Sequence, residues 1–210
     1  MSVYIPRPFA PRESDQVARL IAEHPFATLI TPSPAEMRVS HLPLEFAAGG
    51  GPRGVLLGHM ARANPHWQHL ADGPSVAIFH GPHAYVSPSW YGDPAAAVPT
   101  WNYCVAHVHG PAEVMHEEGE KRALLATMIE RYEGARERPW RLQLEGRMLD
   151  AMLEAIVGFR LRVERIDAKF KLSQNRSADD RDRVITALRA EGYAEAEATA
   201  AWMDAYARES

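Results

Sequence analysis

The chain has a single cysteine, Cys104. That excludes an internal disulfide and fits a reducing compartment, the cytoplasm. No apolar run approaches the ~18 residues of a membrane span, so no membrane partner is expected. The opening stretch, MSVYIPRPFAPRES, lacks the apolar core of a secretory signal, and no export is expected from it. Positive charge is not in excess either: 23 Lys and Arg face 27 Asp and Glu, a formal net charge of −4. This predicts no general affinity for nucleic acid. C-x-x-C and H-E-x-x-H are absent, which removes the commonest zinc signatures. G-x-S-x-G and the P-loop are absent too, and the G-x-G-x-x-G string at Gly49–Gly54 (GGGPRG) opens no helix, so a bound phosphate must be held in another way. Gly49-Gly50-Gly51 is followed by no helix and reads as a turn.

What is present is an ordinary globular composition: 210 residues, 46% hydrophobic and 24% charged. Such a chain forms one or two domains with a sizeable core. The charge is unevenly placed. From Asp179 onward there are eight acidic residues and four arginines, which leaves 19 of each sign before it. All ten histidines lie between His24 and His116. The last two expected helices, 178–191 and 194–207, have the outline of a helix-turn-helix, but their net charge opposes direct DNA contact.

Periodicity gives the elements. Residues 11–23 predict a short helix with Val17, Leu20 and Ile21 as its apolar stripe. Strands are predicted at 25–31, 36–46, 54–60, 74–82, 84–86, 101–115 and 159–172, the sixth of them bulged or bent. Asn64-Pro65 predicts a helix start, with Asn at the N-cap. Amphipathic helices are predicted at 117–132 and 147–156. Ser177 with Asp180 forms an S-x-x-D capping box, and Gly192 separates the two final helices. About seven strands in meandering spacing, without βαβ alternation, indicate an antiparallel β-barrel with appended helices.

Several blocks carry polar chemistry. His66 with His69, on a helix, and His107 with His109, on a strand, share faces, but no third ligand is placed by spacing; no metal is expected. Cys104 lies inside a strand and reads as a small core residue. In GHMARANPHW, Arg62 stands between a strand end and a helix start, a position suited to a dianion. GPHAYVSPSWY and VPTWNY combine rings with hydroxyls and amides, the lining that a flat ligand with a polar rim requires. KFKLSQNRS, residues 169–177, puts two lysines, two amides and an arginine at a strand-to-helix junction. It is either a solvated loop or an anion cradle.

MSVYIPRPFAP, HPFATLIT, SHLPLEF, GHMARANPHW, FHGPHAYVSPSWY, VPTWNY and IVGFRLRVERIDAKFKLSQNRS, in this order, resemble the PaiB-like family of FMN-binding split-barrel proteins. The likeness runs to about residue 190. Members are called FMN-binding negative transcriptional regulators. The resemblance implies an antiparallel six-stranded split β-barrel over residues 1–176, with inserted helices, and a C-terminal helical extension over 177–210. The fold is shared with pyridoxine-phosphate oxidases. The resemblance also implies a homodimer with FMN at the subunit interface. It makes Arg62 the phosphate-holding residue, with Ser40 and His41 on the neighbouring strand. Asn64, Ser87, Trp90, Thr100, Trp101 and Asn102 line the cofactor, and Lys171, Ser173, Gln174, Asn175 and Arg176 form the closing motif. Residues 92–97 (GDPAAA) lack a lysine often found in this loop of the family.

Two functions follow from the resemblance: a flavin-binding repressor, or an FMN-dependent oxidoreductase acting on a small aromatic substrate or a flavin. Related split barrels add a third, haem binding. Fold alone does not choose among them.

Overall fold

The computed structural model describes residues 3–11 and 14–208. The expected opening of the first helix, at residues 12 and 13, and the first two residues of the N-terminal motif lie outside them. The chain forms two compact units: Met1–His24, Phe79–His107 and Asp167–Ser210 in the first, Pro25–Ile78 and Val108–Ile166 in the second. The elements are α1 (Ser14–Glu23), β1 (Phe26–Pro32), β2 (Met37–Pro43), β3 (Glu45–Ala47), β4 (Val55–Ala61), β5 (Ser75–Val86), β6 (Thr100–Gly110) and β7 (Ala112–Val114). Then follow α2 (Glu118–Glu133), α3 (Arg147–Glu154), β8 (Ile156–Arg162), β9 (Arg165–Lys171), α4 (Ala178–Ala190) and α5 (Ala194–Arg208). The architecture is mainly antiparallel β with C-terminal helices, the class that the sequence predicts.

In the second unit, β1 lies between β2 and the start of β5, antiparallel to both. A four-stranded sheet runs β3-β4-β8-β7. Alternation sends Ala27, Leu29, Thr31, Ser40 and Leu42 inward. It turns Phe26, Met37 and Val39 outward, where they stay 65%, 60% and 52% exposed. The helix α2 seals the unit through Leu124 and Met128, which pack with Met115 and Leu57. A charged clasp reinforces it. The buried Glu45 carboxylate accepts from Arg131 Nη1 and, at 3.1 Å, from Tyr132 Oη. Burial first, then the Glu45 charge, pushes the Tyr132 phenol up to about 12, so it stays a donor.

In the first unit, the rest of β5, then β6, then β9 are neighbours. Their inner face carries Phe79, Ala84, Cys104 and Phe170. The α1 stripe of Val17, Leu20 and Ile21 is buried as the pattern predicts. Leu20 comes so near the sheet that a Cβ on Gly81 would lie 2.4 Å from its Cδ1, so only glycine fits there. Helix α5 supplies Trp202 and Tyr206, whose rings meet Phe170 edge-on at 5.7 and 6.4 Å.

Four strand boundaries differ from the sequence pattern. The expected strand 36–46 breaks at Leu44, whose N–H leaves the ladder to donate to Pro25 O at 2.9 Å. The expected strand 159–172 breaks at 163–164, where the N–H groups of Val163 and Glu164 turn to Gly54 O and His109 O. Strand β6 stops before Pro111, which has no N–H to donate. Conversely, 74–82 and 84–86 are one strand, β5, whose inward face slips by a residue at the buried pair Gly81-Pro82.

Candidate functional site

The positions singled out in the sequence fall into two groups, one in each unit. In the second unit, Ser40 points inward from β2. Its Oγ lies 2.8 Å from His66 Nδ1 and accepts from Asn64 Nδ2 at 2.9 Å. His66 Nε2 lies 2.9 Å from Thr31 Oγ1, which is 2.6 Å from Ser75 Oγ. Asn64 also caps the 3-10 turn Pro65–His69 by accepting from His66 N. This is a closed polar network. Burial, then the His69 and Arg38 charges, lowers the His66 pKa to about 4 and keeps the ring neutral. Both of its ring nitrogens are engaged, and its helical neighbour His69 instead pairs with Asp72 at 2.7 Å.

His41 is not brought to Ser40. Adjacent strand residues face opposite ways, and His41 meets Thr28 on the outer face, Nδ1 to Oγ1 at 3.1 Å. Arg62 reaches toward α3. Its Nε donates to Glu154 O, its Nη2 donates to Ile156 O at 3.1 Å, and its backbone N–H donates to Ala155 O. It therefore clamps the carbonyls at the junction where α3 ends and β8 begins. Trp67 braces it, with Nε1 donating to Arg62 O at 3.0 Å.

The first unit holds the richer group. Lys171 Nζ donates to Thr100 Oγ1 and to Trp101 O, the latter at 2.7 Å, which pins the end of β9 to the start of β6. Burial first, then the charges of Lys169 and Arg176, lowers the Lys171 pKa. Ser173 is the described non-glycine residue with positive φ, 63°. This left-handed conformation turns its Oγ to Asn102, 2.9 Å from Nδ2, and Asn102 also meets Met203 Sδ at 3.2 Å. Gln174 folds back: Oε1 accepts from Leu172 N at 2.7 Å and Nε2 donates to Phe170 O. Its amide thus replaces the ladder partners that β9 loses at its end. Asn175 is exposed, and the Arg176 guanidinium lies over Tyr91.

Ser87 caps a short turn by accepting from Ser89 N at 3.3 Å. Trp90 lines a shallow groove of about 550 Å³ with one face of α4. The helix cap is half of the expected box. Ser177 Oγ accepts from Asp180 N at 3.1 Å, while the Asp180 carboxylate accepts from Gly92 N and ties down the 92–97 loop.

Trp101 is 52% exposed and forms a platform with the rings of His83 and Tyr85, at centroid distances of 6.3 and 6.1 Å. Beside it is a mostly apolar cavity of about 440 Å³, lined by Gly81, His83, Trp101, Tyr103, Cys104 and Val105 among others. Cys104 is buried, and burial drives its thiol pKa up, so no thiolate is available as a nucleophile.

Lys169, one of the two lysines of the 169–177 stretch but not among the residues that the resemblance picks out, shares a face of β9 with Lys171. No described carboxylate pairs with Lys169, Lys171 or Arg176. Three cations without a partner anion among the described residues, near exposed rings, fit a ligand with a flat apolar body and an anionic tail. A flavin nucleotide has that chemistry.

Among the described residues no helix is long and apolar enough to cross a membrane. Residues 3–165 match the family described as "Putative FMN-binding domain". The chain is 37% identical over 192 residues to the Bacillus subtilis protein "Protease synthase and sporulation protein PAI 2", covering 90% of both chains. Its fold resembles that of the flavocytochrome Anf3 from Azotobacter vinelandii (TM-score 0.61, 16% identity, 80% of this chain and 72% of that one). It also resembles that of an FAD- and haem-binding protein from Mycobacterium smegmatis (TM-score 0.59, 19% identity, 87% and 80%). The fold is thus the split barrel that the resemblance implies, and the chain belongs to the PaiB-like family of FMN-binding proteins.

Proposed function

We propose that this chain is a cytoplasmic regulatory flavoprotein that binds FMN as a homodimer, with the cofactor at the subunit interface. The observation that carries the FMN reading is the set of Lys169, Lys171 and Arg176, without a carboxylate partner among the described residues and in one unit with the Trp101 platform. A phosphate monoester, with a charge near −2, suits such a set. Lys171 and Arg176 would hold the anionic end. Trp101, Tyr103 and His83 would cover the ring. Bound flavin would supply the redox chemistry, with the protein setting its orientation and access. The dimer is supported by the exposed apolar side of β1 and β2, carrying Phe26, Met37 and Val39. The regulatory role is supported by the Bacillus subtilis relative, whose name associates it with protease synthesis and sporulation. Helix α5 spends Trp202, Met203 and Tyr206 on packing, so α4–α5 is not proposed as a DNA reader.

The test is a titration of cofactor-free protein with FMN, riboflavin and haem, followed by flavin fluorescence and absorbance, with the mass in solution measured in parallel. FMN is expected to bind more tightly than riboflavin, to a dimer. Haem binding without flavin binding, or a monomer that binds FMN equally well, would overturn the reading. Footprints with and without FMN test the regulatory half. NADH- or NADPH-driven bleaching of the flavin with turnover would instead favour the oxidoreductase.

A further inference from the structure

Lys169 has an environment unusual for a lysine. It is 9% exposed, and no hydrogen bond or ion pair joins its ammonium to another described residue. What surrounds it is aromatic. The rings of Tyr4, Tyr103 and Phe9 lie 5.5, 5.5 and 6.0 Å from Nζ. Tyr103 belongs to β6 and is fixed by the sheet. Tyr4 and Phe9 belong to the N-terminal strap, residues 3–11, whose only regular element is the single turn Arg7–Phe9. Tyr4 itself is 82% exposed, so its ring touches little besides this ammonium. The strap is otherwise pinned at its far end, where Tyr206 Oη donates to Ala10 O at 3.3 Å.

A caged ammonium is held by the ring quadrupoles and loses most of its hydration. Its three donors go unused in the described structure. A carboxylate or phosphate offers a charge-assisted hydrogen bond, which is stronger than a contact with ring faces. Lys171 stands two residues on along the same face of β9 and feels the charges of both Lys169 and Arg176, and all three lack a described anion. A dianion there neutralises several charges at once. The strap and the anion therefore compete for the same ammonium.

We propose that Lys169 is a third anion-binding residue of the Lys171–Arg176 cluster, caged by the N-terminal strap when free and drawn to the phosphate of a bound phosphate monoester, which releases Tyr4. This rests on the FMN reading above and adds a consequence. Occupancy of the cofactor site is reported at the surface by the strap, so a partner would see a different N-terminal segment in the loaded and the empty protein.

The experiment follows two signals in the full-length chain: the ring-current shift of the Lys169 Hε protons by NMR, and chymotryptic cleavage after Tyr4 and Phe9. Saturating FMN is expected to abolish most of the shift and to raise cleavage several-fold, while riboflavin, lacking the phosphate, leaves both unchanged. Inorganic phosphate alone should give the same change at higher concentration. If FMN binds and neither signal moves, the strap proposal is wrong and the FMN reading stands. If FMN fails to bind, that reading falls, and the phosphate arm decides for the strap by itself: a change supports it, no change overturns it. Two variants fix the sign. Lys169→Met should weaken FMN about tenfold, the share of one charge-assisted contact, and leave riboflavin alone. Tyr4→Ala should tighten FMN about two- to fivefold, the factor carried by an exposed cation–π contact. A merely structural strap would loosen FMN on losing Tyr4, which would refute the competition.

Discussion

The Arg176 guanidinium carbon sits 4.5 Å from the centroid of the Tyr91 ring. Tyr91 is 5% exposed, so the ring is a fixed floor, and Arg176 lies over it without an acidic partner among the described residues. Stacking suits the planar guanidinium and not an ammonium. Arg176→Ala is expected to weaken FMN about ten- to a hundredfold, the loss of a charge-assisted contact to phosphate. Arg176→Lys should recover only part of it, because the charge returns and the plane does not. Riboflavin affinity should change little in either. Dissociation constants from flavin fluorescence decide; equal losses for FMN and riboflavin would mean that Arg176 supports the fold of the site rather than the phosphate.

Arg62 separates two roles that one mutation can tell apart. The sequence pattern makes it the phosphate-holding residue, and in the structure its Nε and Nη2 are given to Glu154 O and Ile156 O. Arg62→Ala should lower stability by about 1–3 kcal/mol, the range for charged hydrogen bonds to carbonyls left unpaired. Urea unfolding measures that loss, and dialysis of the loaded protein measures flavin retention. Lost stability with normal retention would make Arg62 a clamp for α3. Normal stability with lost flavin would restore it as a phosphate ligand.

The contrast between these arginines shows what the sequence carries. Local signals were legible: the Asn64 and Ser177 caps and the α1 stripe. So was the fold, because alternation and short spacing survive in one dimension. What a polar side chain touches was not. Ser40 and His41 are neighbours in sequence and face opposite sides, and Gln174 turns its amide back onto its own strand. Ser177-Asp180 looked like a reciprocal cap, but the carboxylate went to Gly92, 88 residues away. Such partners are set by tertiary packing, which no local pattern encodes. The surroundings of Lys169 were illegible for the same reason: its cage is assembled from Tyr4, Phe9 and Tyr103, far apart in the chain.

His66 gives a pH prediction. Its native pKa is lowered to about 4, from an ordinary 6.5, by burial first. Between those values the unfolded chain binds a proton that the native chain does not. Stability is therefore undiminished above about 6.5, falls as the pH drops through the window, and levels off below about 4. One proton sets the limiting slope at about 1.4 kcal/mol per pH unit. His24 and His59 are also lowered, both by burial first, and act in the same direction below about 6.5. His66→Gln keeps a hydrogen-bonding side chain among Ser40 and Thr31 but does not titrate. Its urea midpoint at pH 7 should be lower than that of the parent, and its decline from pH 6 to 4.5 shallower. An unchanged slope would place the acid sensitivity elsewhere.

The last prediction concerns the outer side of β1 and β2. Ile30 and Val39 are directly paired there, flanked by the exposed Met37 and Phe26 and by the Thr28–His41 contact. An exposed apolar sheet face at an edge strand is a liability unless it is covered. In the proposed homodimer this face is buried against the second copy, and the cofactor depends on that assembly. A charge at its centre tests both at once. Val39→Glu alters an outward position that is 52% exposed, so the subunit itself should fold with a near-normal thermal transition once the dimer's contribution is removed. Sedimentation should show a monomer at concentrations where the parent is dimeric, and FMN affinity should fall with the dimer fraction. Raising the protein concentration should restore both in parallel. A Val39→Glu dimer that binds FMN normally would exclude this face from the interface, and a monomer with normal affinity would confine the cofactor site to one chain.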